Sequence, residues 1–462
     1  MNKQVTLEKI TAWAKRRGFV FRGSDLYGGL ANTYDWGPYG IMLKRNIENL
    51  WWDRYIDSRD DIHGIDSTIL LKSDVWEASG HTESFADAMV EDKISHKRYR
   101  ADHLLEEHFE KKGKEVKVDG LPLEELTKML KENKIKSPDG NELTEPKFFN
   151  QLFQTEIGII AGDKNKSYLR GEIAQGLFLN FKNIVDSIHP KLPFGIGQSG
   201  KAFRNEITPG KFTFRTLEFD LMEFEYFFDN EKEDSKKFYE YWKKDMDQFA
   251  NLLGLKKKNI RWRPHEEFER SHYSERTEDL EYEFPWGFKE MWGLAYRTDF
   301  DLKNHQEKTG KDLSYSYPDG KKVVPHVIEP SFGLSRTATI VMFDAYTEEE
   351  VKGNTRVFMK FDPQIAPIKA AVFPLQKDGK LGKLAKDVYS DLKKSYSVSY
   401  DDAGNIGKMY RRQDEIGTPW CITVDYDSLK DKKVTVRDRD TMKQERVEIA
   451  KLNSWLKTKL ES

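Results

Sequence analysis

The sequence has only one cysteine, Cys421, among its 462 residues. A single thiol can form neither an internal disulfide nor a Cys-x-x-Cys zinc site, so we expect no cross-link of either kind and no zinc. Cys421 lies within Trp420-Cys421-Ile422-Thr423-Val424. This run is strand-like, and a buried, unreactive thiol is expected there rather than a nucleophile.

Long apolar runs are also missing, and no stretch approaches the roughly 20 residues that a membrane-spanning helix requires. The first residues lead into an amphipathic segment rather than a signal peptide. We therefore expect a cytoplasmic protein without membrane contact. Hydrophobic residues at 38% and aromatic residues at 13% are sufficient to form real cores, and a chain of 462 residues is expected to form two or three domains.

The common glycine-rich nucleotide motifs are absent as well. No Gly-x-Gly-x-x-Gly follows a first strand, and there is no Walker-type phosphate loop. A nucleotide site in this chain must therefore use arginines, whose guanidinium groups bind phosphate and carboxylate oxygens bidentately. Two segments place arginines beside carboxylates, namely Phe203-Arg204-Asn205-Glu206 with Phe214-Arg215-Thr216-Leu217-Glu218-Phe219, and Glu329-Pro330-Ser331-Phe332-Gly333-Leu334-Ser335-Arg336.

The hydrophobic pattern predicts an α+β fold for residues 1–362. A helix is predicted over 6–17, ending at Gly18, and another begins at Pro38 and is followed by a strand over 62–71. From Asn150 onward strand-like blocks alternate with polar loops, which indicates a largely antiparallel β-sheet flanked by helices. The predicted strand blocks are 168–174, 195–203, 217–228, 289–294 and 323–328.

Residues 101–150 interrupt this pattern. They are rich in Lys and Glu, with helical runs near 104–109 and 123–130 and a turn at Ser137-Pro138-Asp139-Gly140. Such a stretch is typical of an inserted helical subdomain on a core domain.

Residues 363–462 have a different pattern, with helices and strands in alternation. We predict strands over 369–374, 398–400, 420–424 and 433–438, and helices over 380–394, 406–416 and 446–460. The pattern indicates a separate α/β domain that begins after the turn at 361–364. Residues 365–462 contain 20 Lys and Arg against 15 Asp and Glu, a net +5 in a chain of net −2. A basic domain on an acidic body suits RNA binding, and ordinary surface variation explains this asymmetry equally well.

Several sequence blocks, in this order and spacing, resemble the dimeric glycyl-tRNA synthetases, a family of class II aminoacyl-tRNA synthetases. The two arginine segments match motifs 2 and 3 of the class, and the helix at Pro38 with its strand is similar to motif 1. The other blocks are Tyr34-Asp35-Trp36-Gly37-Pro38, Ser79-Gly80-His81 with Phe85-Ala86-Asp87, Tyr99-Arg100-Ala101-Asp102-His103, Leu169-Arg170-Gly171-Glu172-Ile173-Ala174-Gln175-Gly176, Trp286-Gly287, Trp292-Gly293 and Arg297-Thr298-Asp299-Phe300-Asp301-Leu302.

The resemblance implies a glycine-tRNA ligase that forms glycyl-adenylate from glycine and ATP and transfers glycine to the 3′ end of tRNA(Gly). It implies catalytic roles for Arg204, Glu206 and Arg336. Arg204 would bridge the α-phosphate and the glycine carboxylate, Arg215 and Arg336 would hold the γ-phosphate end, and Glu206 and Phe219 would bind adenine. The implied ATP-binding residues are Arg204, Asn205, Glu206, Phe214, Arg215, Thr216, Leu217, Glu218, Phe219, Glu290, Met291, Gly333, Leu334, Ser335 and Arg336.

Glycine has no side chain, so its recognition must use its ammonium group and exclude any Cβ. The resemblance implies an acidic glycine site, and Mg²⁺ bound with ATP, for which Glu290 and Glu329 are the candidate ligands. The implied glycine-binding residues are Arg100, Glu172, Phe219, Asp220, Leu221, Met222, Glu223, Glu329, Pro330, Ser331, Phe332 and Gly333. The block at 170–176 departs from the usual family pattern, since Gly171 stands where proline is common.

The resemblance further implies a homodimer formed through motif 1, a C-terminal anticodon-binding domain at 363–462, and an insertion at 101–150 that approaches the tRNA acceptor stem. A solvated surface decoration is an equally good interpretation of the insertion. Two other functions stay open. One is a class II synthetase for threonine, proline or serine, and the other is a non-catalytic, synthetase-like protein that binds nucleic acid. The acidic residues around Glu172 and Glu329 favour glycine, and the intact arginines favour catalysis.

Overall fold

A computed structural model of the chain describes residues 5–84, 86–114, 116, 118, 121–158, 165–206, 210–351, 353–377 and 379–461. The helices are α1 Leu7–Arg17, α2 Pro38–Trp52, α3 Ser73–Ala78, α4 His81–Ser84, α5 Ala101–Lys111, α6 Leu123–Glu132, α7 Ala174–Ile188, α8 Ser235–Leu252, α9 Phe300–Thr309, α10 Leu334–Ala345, α11 Gly379–Leu392, α12 Ile406–Ile416, α13 Ser428–Asp431 and α14 Leu452–Glu461. The strands up to residue 264 are β1 Val20–Arg22, β2 Tyr34–Trp36, β3 Ile62–Gly64, β4 Leu70–Lys72, β5 Ala86–Glu91, β6 Arg98–Arg100, β7 Lys147–Asn150, β8 Gln154–Ile157, β9 Asn165–Leu169, β10 Phe194–Phe203, β11 Glu218–Phe228 and β12 Ile260–Pro264. The later strands are β13 Arg276–Phe284, β14 Gly287–Thr298, β15 Tyr315–Ser316, β16 Lys322–Val323, β17 His326–Gly333, β18 Tyr346–Val351, β19 Asn354–Met359, β20 Ala370–Pro374, β21 Val398–Tyr400, β22 Trp420–Val424, β23 Lys433–Asp438 and β24 Gln444–Glu448.

A seven-stranded sheet in the order β12-β13-β14-β17-β11-β10-β3 forms the centre of the first 362 residues. Every neighbouring pair is antiparallel except β10 and β3. The predicted antiparallel α+β fold is therefore confirmed. The segment that contains Arg204 lies at the end of β10, and the segment that contains Arg336 runs from β17 into α10. Because β11 pairs with both strands, the two segments lie on either side of it.

Alternation along β11 divides the sheet into two faces. Met222 and Phe224 belong to a large hydrophobic core that also includes residues of α1, α2, α8 and α10. Leu221 and Phe227 face the other way, into a second core with residues of α7. Because successive side chains point to opposite faces, Glu223 shares the second face, where α7 and α9 pack.

The predicted N-terminal elements are present. Thr6 caps α1 by accepting a hydrogen bond from the Lys9 amide, and α1 ends at Gly18, which has φ of 73°. This left-handed conformation favours glycine. Pro38 is the first residue of α2, as the pattern predicts.

Two predicted strands differ from those observed. The strand predicted over 62–71 consists of β3, which joins the central sheet, and β4, which pairs with β9 in a three-stranded sheet. The strand predicted over 168–174 ends at Leu169, and α7 begins at Ala174. Between β9 and α7 the strand-like pattern continues because the turn residues 170–173 are themselves buried, whereas between β3 and β4 only Ser67 is buried.

The insertion is larger than the predicted helical segment. Helices α5 and α6 pack on a three-stranded sheet in the order β6-β5-β7, so the unit extends from Ala86 to Asn150. Ala88, Val90, Ala101, Leu105 and Leu126 form its own hydrophobic core. Phe85, which belongs to one of the blocks above, lies outside the described residues.

The C-terminal residues form a five-stranded sheet in the order β21-β20-β22-β23-β24. The strand pairs β20-β21 and β20-β22 are parallel and the others are antiparallel, and a separate hydrophobic core fills the space between this sheet and α11 and α14. The helix predicted over 446–460 begins only at Leu452, since residues 444–448 form β24. Cys421 is buried on β22, and burial raises the pKa of its thiol, consistent with an unreactive residue.

The hairpin β18-β19 connects the two units. Arg356 on β19 donates to Asp414 on α12 at 2.9 Å, and Asp414 also accepts from Arg437 on β23 at 2.9 Å. In the part of the chain that the structure describes, no helix is both long and apolar enough to cross a membrane.

Candidate functional site

A cavity of about 230 Å³ lies over the second face of the central sheet and contains most of the predicted site residues. It is bounded by the ends of β10, β11, β14 and β17 and by the start of α10. The predicted residues that line it are Glu172, Arg204, Glu206, Phe214, Arg215, Thr216, Phe219, Asp220, Leu221, Glu223, Glu290, Glu329, Ser331, Gly333, Ser335 and Arg336.

The arginines of the first segment are held by short local contacts. Arg204 donates from Nε to the carbonyl of Gly171 at 3.1 Å, and its guanidinium lies 5.4 Å from the centre of the Phe219 ring. Arg215 lies 3.7 Å from the carboxylate of Glu206. The backbone of Arg204 pairs with Leu217, so both ends of the connecting loop are fixed next to each other.

Arg336 lies at the other end of the cavity, in the first turn of α10. Its Nη1 is 2.9 Å from Oε1 of Glu290, and its guanidinium lies 4.7 Å from the centre of the Phe214 ring. The aromatic ring orients the guanidinium, and Glu290 is exposed. A bound anionic group could therefore replace or share this carboxylate partner.

Asp220 connects three parts of the site. It accepts from Lys44 of α2 at 2.5 Å and from the hydroxyl of Ser335 at 3.0 Å, and its backbone amide donates to the same hydroxyl at 3.0 Å. Although burial opposes it, the charges of Lys44 and Lys201 keep the pKa of Asp220 below its ordinary value. Asp220 and Ser335 thus join the segments that resemble motifs 1, 2 and 3.

A fully buried arginine, Arg297, organises the acidic end of the cavity. It contacts Asp301 through two hydrogen bonds of 2.8 and 2.9 Å and Glu329 through two of 3.0 and 3.1 Å. Glu172 lies 3.8 Å away, and the ring of Tyr273 covers the guanidinium at 3.7 Å. A cation in this position offsets part of the negative charge that the surrounding carboxylates would otherwise concentrate.

Three carboxyl groups remain close together beyond Arg297. Oxygens of Glu223, Glu225 and Glu329 lie within 4.8 Å of one another, and all three side chains are buried. Burial together with the neighbouring carboxylates raises the pKa of each of the three above its ordinary value. One oxygen of Glu223 and both oxygens of Glu225 have no hydrogen-bond partner. Such a group is suited to a further cation, because a nearby positive charge would favour the ionised forms.

His81 supports the acidic end from the opposite side. Its Nε2 lies 3.1 Å from Glu172, and its Nδ1 lies 2.8 Å from the hydroxyl of Ser79. Burial raises the pKa of Glu172, but His81, Arg297 and Gln175 together lower it well below its ordinary value. These contacts hold His81 in place between Ser79 and Glu172.

Several predicted site residues lie outside the cavity. Met222, Met291, Phe332 and Leu334 belong to the large hydrophobic core on the opposite face of the sheet. Their side chains point away from the cavity, so only their backbone atoms are available to a ligand there, and their role in binding stays a prediction. Asn205, Leu217, Glu218 and Pro330 also do not line it, and Glu218 is exposed and paired with Lys201 at 2.9 Å.

Arg100 is placed in an adjacent cavity rather than in the glycine pocket. It contacts Asp87 at 2.9 Å and forms a closer pair with Asp102. These two carboxylates hold its guanidinium within the insertion, and the contact of Arg100 with the glycine carboxylate stays a prediction.

The two predicted Mg²⁺ ligands do not meet. Glu329 is opposite Ala295 in the register of β17 and β14, and Glu290 is five residues further along β14. At about 3.3 Å per residue, their Cα atoms are some 16 Å apart, too far for one ion. Glu329 is also bound by Arg297 through both oxygens. The two residues therefore cannot hold the same ion, and each stays a separate candidate, Glu290 beside Arg336 and Glu329 in the group with Glu223 and Glu225.

Some residues of the site were not predicted. Arg297, Asp301, Glu225 and Tyr273 contribute to the acidic end, and Lys44 fixes Asp220 from α2. Arg297 and Asp301 occur in a recognised sequence block, and their spacing of four residues was the available signal for an ion pair. The contribution of Glu225 depends on the pairing of β11 with β17 and has no local sequence signal.

The antiparallel sheet with its two arginine segments defines the class of protein, namely a class II aminoacyl-tRNA synthetase. The chain is similar along its whole length to prolyl-tRNA synthetase from Cryptosporidium parvum, solved in complex with L-proline and AMP, with a TM-score of 0.64, 13% identity and coverage of 79% of that chain. This likeness concerns the fold. Residues 369–459 match the family model described as an anticodon binding domain.

Full-length relatives identify the family. Glycine--tRNA ligases from Caldanaerobacter subterraneus subsp. tengcongensis, Clostridium kluyveri and Geobacillus thermodenitrificans are 48%, 49% and 48% identical to the chain. The alignments cover 100%, 99% and 98% of both sequences. The chain belongs to the glycine--tRNA ligase family, and the resemblance stated from its motifs is confirmed.

Proposed function

We propose that this chain activates glycine with ATP and transfers it to tRNA(Gly). The observation that carries the proposal is the acidic group formed by Glu172, Glu223 and Glu329 at one end of a cavity whose other end contains Arg215 and Arg336. The ammonium group of an amino acid has the charge that the acidic end attracts, and a triphosphate has the charge that the arginines attract. Arg204 lies between them and is the residue that both substrates would contact.

Activation requires the glycine carboxylate to attack the α-phosphate of ATP while pyrophosphate leaves. Arg204 would orient the carboxylate and the α-phosphate, and Arg215 and Arg336 would stabilise the charge on the leaving phosphates. Phe219 and Glu206 would hold the adenine by stacking and by accepting from its amino group. Mg²⁺ bound to the phosphates would supply further neutralisation, and Glu290 is the carboxylate positioned to contribute an oxygen ligand.

Selection of glycine follows from the acidic end. The ammonium group would be bound by Glu223 and Glu329, whose carboxyl oxygens are close together and buried. The backbone of Ser331, which pairs with Glu223, lies against the same part of the cavity. A pocket formed by packed strands cannot expand to accept a Cβ without displacing backbone, so larger amino acids would be excluded by steric conflict.

We further propose that the protein works in the cytoplasm as a homodimer and binds the tRNA anticodon through residues 363–462. Support for the dimer comes from the segment between β1 and β2, where Leu26, Tyr27 and Leu30 are 98%, 94% and 55% exposed. Large apolar side chains gathered in one exposed segment indicate a surface that another chain covers. The resemblance of α2 to the dimer-forming motif supports the same interpretation.

The test is ATP–pyrophosphate exchange with each of the twenty amino acids, in the presence of Mg²⁺. We expect exchange with glycine alone, and a loss of at least a hundredfold in Arg204→Ala, since an arginine between two anionic groups contributes several kcal/mol to the transition state. Arg98→Ala is the matched control, because Arg98 is a half-exposed arginine that pairs with Glu91 on the insertion and does not line the cavity. Exchange with a different amino acid would reassign the substrate, and no exchange at all would favour a non-catalytic protein.

A further inference from the structure

A buried chain of hydrogen bonds lies behind the acidic end of the cavity. It runs from His305 of α9 through Gln175 of α7 to Glu172. Nε2 of His305 lies 2.8 Å from Oε1 of Gln175, and Nε2 of Gln175 lies 3.1 Å from Oε1 of Glu172. His305 is 3% exposed and Gln175 is fully buried, and of the three residues only Glu172 lines the cavity. His305 and Gln175 therefore act on a bound ligand only through Glu172.

The chemistry of the partners fixes the direction of each hydrogen bond. The amide nitrogen of Gln175 also lies 2.9 Å from Oδ1 of Asp301. Ionised carboxylates only accept hydrogen bonds, so the two amide protons of Gln175 must point to Glu172 and Asp301. The amide oxygen then faces His305, whose Nε2 must carry a proton. Burial lowers the pKa of His305 below its ordinary value, which keeps the ring neutral with a single N–H.

Glu172 is held at both of its carboxylate oxygens. Oε1 accepts from Gln175 and lies 3.8 Å from the guanidinium of Arg297, while Oε2 lies 3.1 Å from Nε2 of His81. Among the residues that the structure describes, Glu223 at the same end of the cavity has one oxygen without a hydrogen-bond partner. Glu172 thus presents a negative charge whose position is set before a ligand arrives. Such preorganisation strengthens binding, because the ligand need not order the carboxylate itself.

His305 has one specific effect on this arrangement. The amide of a glutamine side chain rotates easily about its last bond, and half a turn exchanges the positions of its donor and its acceptor. The N–H of His305 pairs only with the amide oxygen of Gln175, so it stabilises one of the two orientations. In the other orientation the amide oxygen would face the carboxylates of Glu172 and Asp301 and be repelled by them. The amide would then no longer hold Glu172.

We propose that His305 is a positioning residue for glycine recognition, because its N–H holds the amide of Gln175 in the orientation that directs the carboxylate of Glu172 to the ammonium group of glycine. This proposal rests on the proposed function. It requires an effect on glycine and little effect on ATP, because Arg215 and Arg336, which suit the phosphates, lie at the other end of the cavity.

The experiment measures the KM for glycine and the KM for ATP of the full-length protein in glycine-dependent pyrophosphate exchange. His305→Leu removes the N–H, and Gln175→Met removes the amide while keeping the length of the side chain. We expect each change to raise the KM for glycine about tenfold or more and the KM for ATP by less than about twofold, because a hydrogen bond to a charged group contributes at least a factor of this order. His305→Gln, whose amide nitrogen reaches the position of Nε2, should bring the KM for glycine back close to the original value.

The double variant with His305→Leu and Gln175→Met tests whether His305 acts through Gln175. If it does, the KM for glycine of the double variant should equal that of Gln175→Met alone, since the second change removes nothing further. The double variant also replaces both partners of one buried hydrogen bond by apolar groups, which costs less stability than leaving one polar group without a partner. If His305→Leu alone does not fold, this comparison decides.

Gln413→Met is the matched control. Gln413 is a buried glutamine of α12 in the C-terminal unit, where its side chain bonds to Thr418 and Ser399, and it does not line the cavity. The change removes hydrogen bonds of the same kind, so we expect a lower melting temperature with both KM values unchanged. A general loss of stability is thereby separated from a specific effect on glycine.

The outcomes separate this proposal from the proposed function. If the unaltered protein exchanges with glycine and His305→Leu leaves the KM for glycine unchanged, the proposal is wrong. It is also overturned if both KM values rise together, if His305→Gln does not restore the KM for glycine, or if the effects of the two single changes add in the double variant. If the unaltered protein shows no glycine-dependent exchange, it is the proposed function that fails.

Discussion

Arg297 is the residue on which the acidic end of the site depends. It is fully buried, and its hydrogen bonds fix Glu329 and Asp301 while Tyr273 covers its guanidinium. The carboxylates around Arg297 can carry more negative charge than its single positive charge offsets. One oxygen of Glu223 and both oxygens of Glu225 have no hydrogen-bond partner. A ligand ammonium is the group of matching charge and size. Electrostatics therefore account for the preference for an amino acid at this end of the cavity.

Glu223→Gln tests this interpretation at the level of one residue. The change keeps the shape of the side chain but removes a charge that would contact the ammonium, so we expect the KM for glycine to rise about tenfold or more. The KM for ATP should change little. Pyrophosphate exchange at varied glycine and ATP measures both values.

The matched control for this change is Glu218→Gln. Glu218 begins the same strand, is exposed and does not line the cavity. We expect no effect on either substrate. Equal effects of the two substitutions would show that the charge of Glu223 has no particular role in glycine binding.

At the scale of elements, the loop between β1 and β2 supports the loop between β10 and β11. The side chain of Asn32 donates to the carbonyl of Glu206 at 3.2 Å and accepts from the amide of Gly210 at 2.9 Å. The backbone carbonyl of Asn32 accepts a hydrogen bond from the backbone amide of Leu217 at 3.0 Å. The same loop carries the exposed Leu26 and Tyr27, so a partner that covers these side chains would also stabilise the loop that contains the ATP-binding arginines.

Asn32 offers a paired test of this support, since its φ is 58°. Asn32→Gly removes the side-chain hydrogen bonds without backbone strain, and Asn32→Ala adds strain because a Cβ disfavours this conformation. We expect both variants to raise the KM for ATP in pyrophosphate exchange by up to about thirtyfold, since two hydrogen bonds are lost at about 1 kcal/mol each. Only the alanine variant should also have a clearly lower melting temperature. An unchanged KM for ATP in the glycine variant would contradict the proposed support.

Sequence patterns predicted many of these elements because each depends on local information. The strands of the central sheet and most of the C-terminal helices and strands follow from apolar periodicity and from Gly and Pro at their ends. Two of the errors share one cause. Residues 62–71 divide because β3 and β4 pair with strands of different sheets, and in 446–460 only the first residues pair with β23 while the later ones form α14. Such long-range pairing leaves no local pattern.

At the scale of the whole molecule, a buried ion cluster joins the C-terminal unit to the rest. Arg356 comes from the hairpin β18-β19, while Asp414 and Arg437 belong to the C-terminal unit, and all three are nearly inaccessible to solvent. Arg439 also donates to the carbonyl of Phe361 at 2.8 Å. These contacts fix the two units relative to each other, which would keep the distance between the active site and a bound anticodon constant.

We expect Asp414→Asn to destabilise the protein by about 3 kcal/mol, because it leaves the buried guanidinium of Arg437 without its carboxylate partner and Arg356 with only Glu349. Chemical denaturation, followed by tryptophan fluorescence, measures the change in the free energy of unfolding. Glu142→Gln is the control, since the pair of Glu142 with Lys93 is largely exposed and should contribute nothing measurable. A stability equal to that of the original protein would show that the cluster does not hold the units together.

The sequence by itself determined the chemistry of this protein. Arginines beside carboxylates in two spaced segments, the missing glycine-rich phosphate motifs and the acidic residues near Glu172 and Glu329 are all readable without coordinates, because they depend on residue type and order. The tertiary structure decided which of these side chains meet. The side chains of Met222 and Phe332 lie in the core, and Glu290 lies far from Glu329 along the sheet. Arg297 and Glu225 lie at the acidic end of the cavity. The physical reason is that strand alternation and strand pairing assign each side chain a face and a neighbour, and both depend on residues far away in the chain.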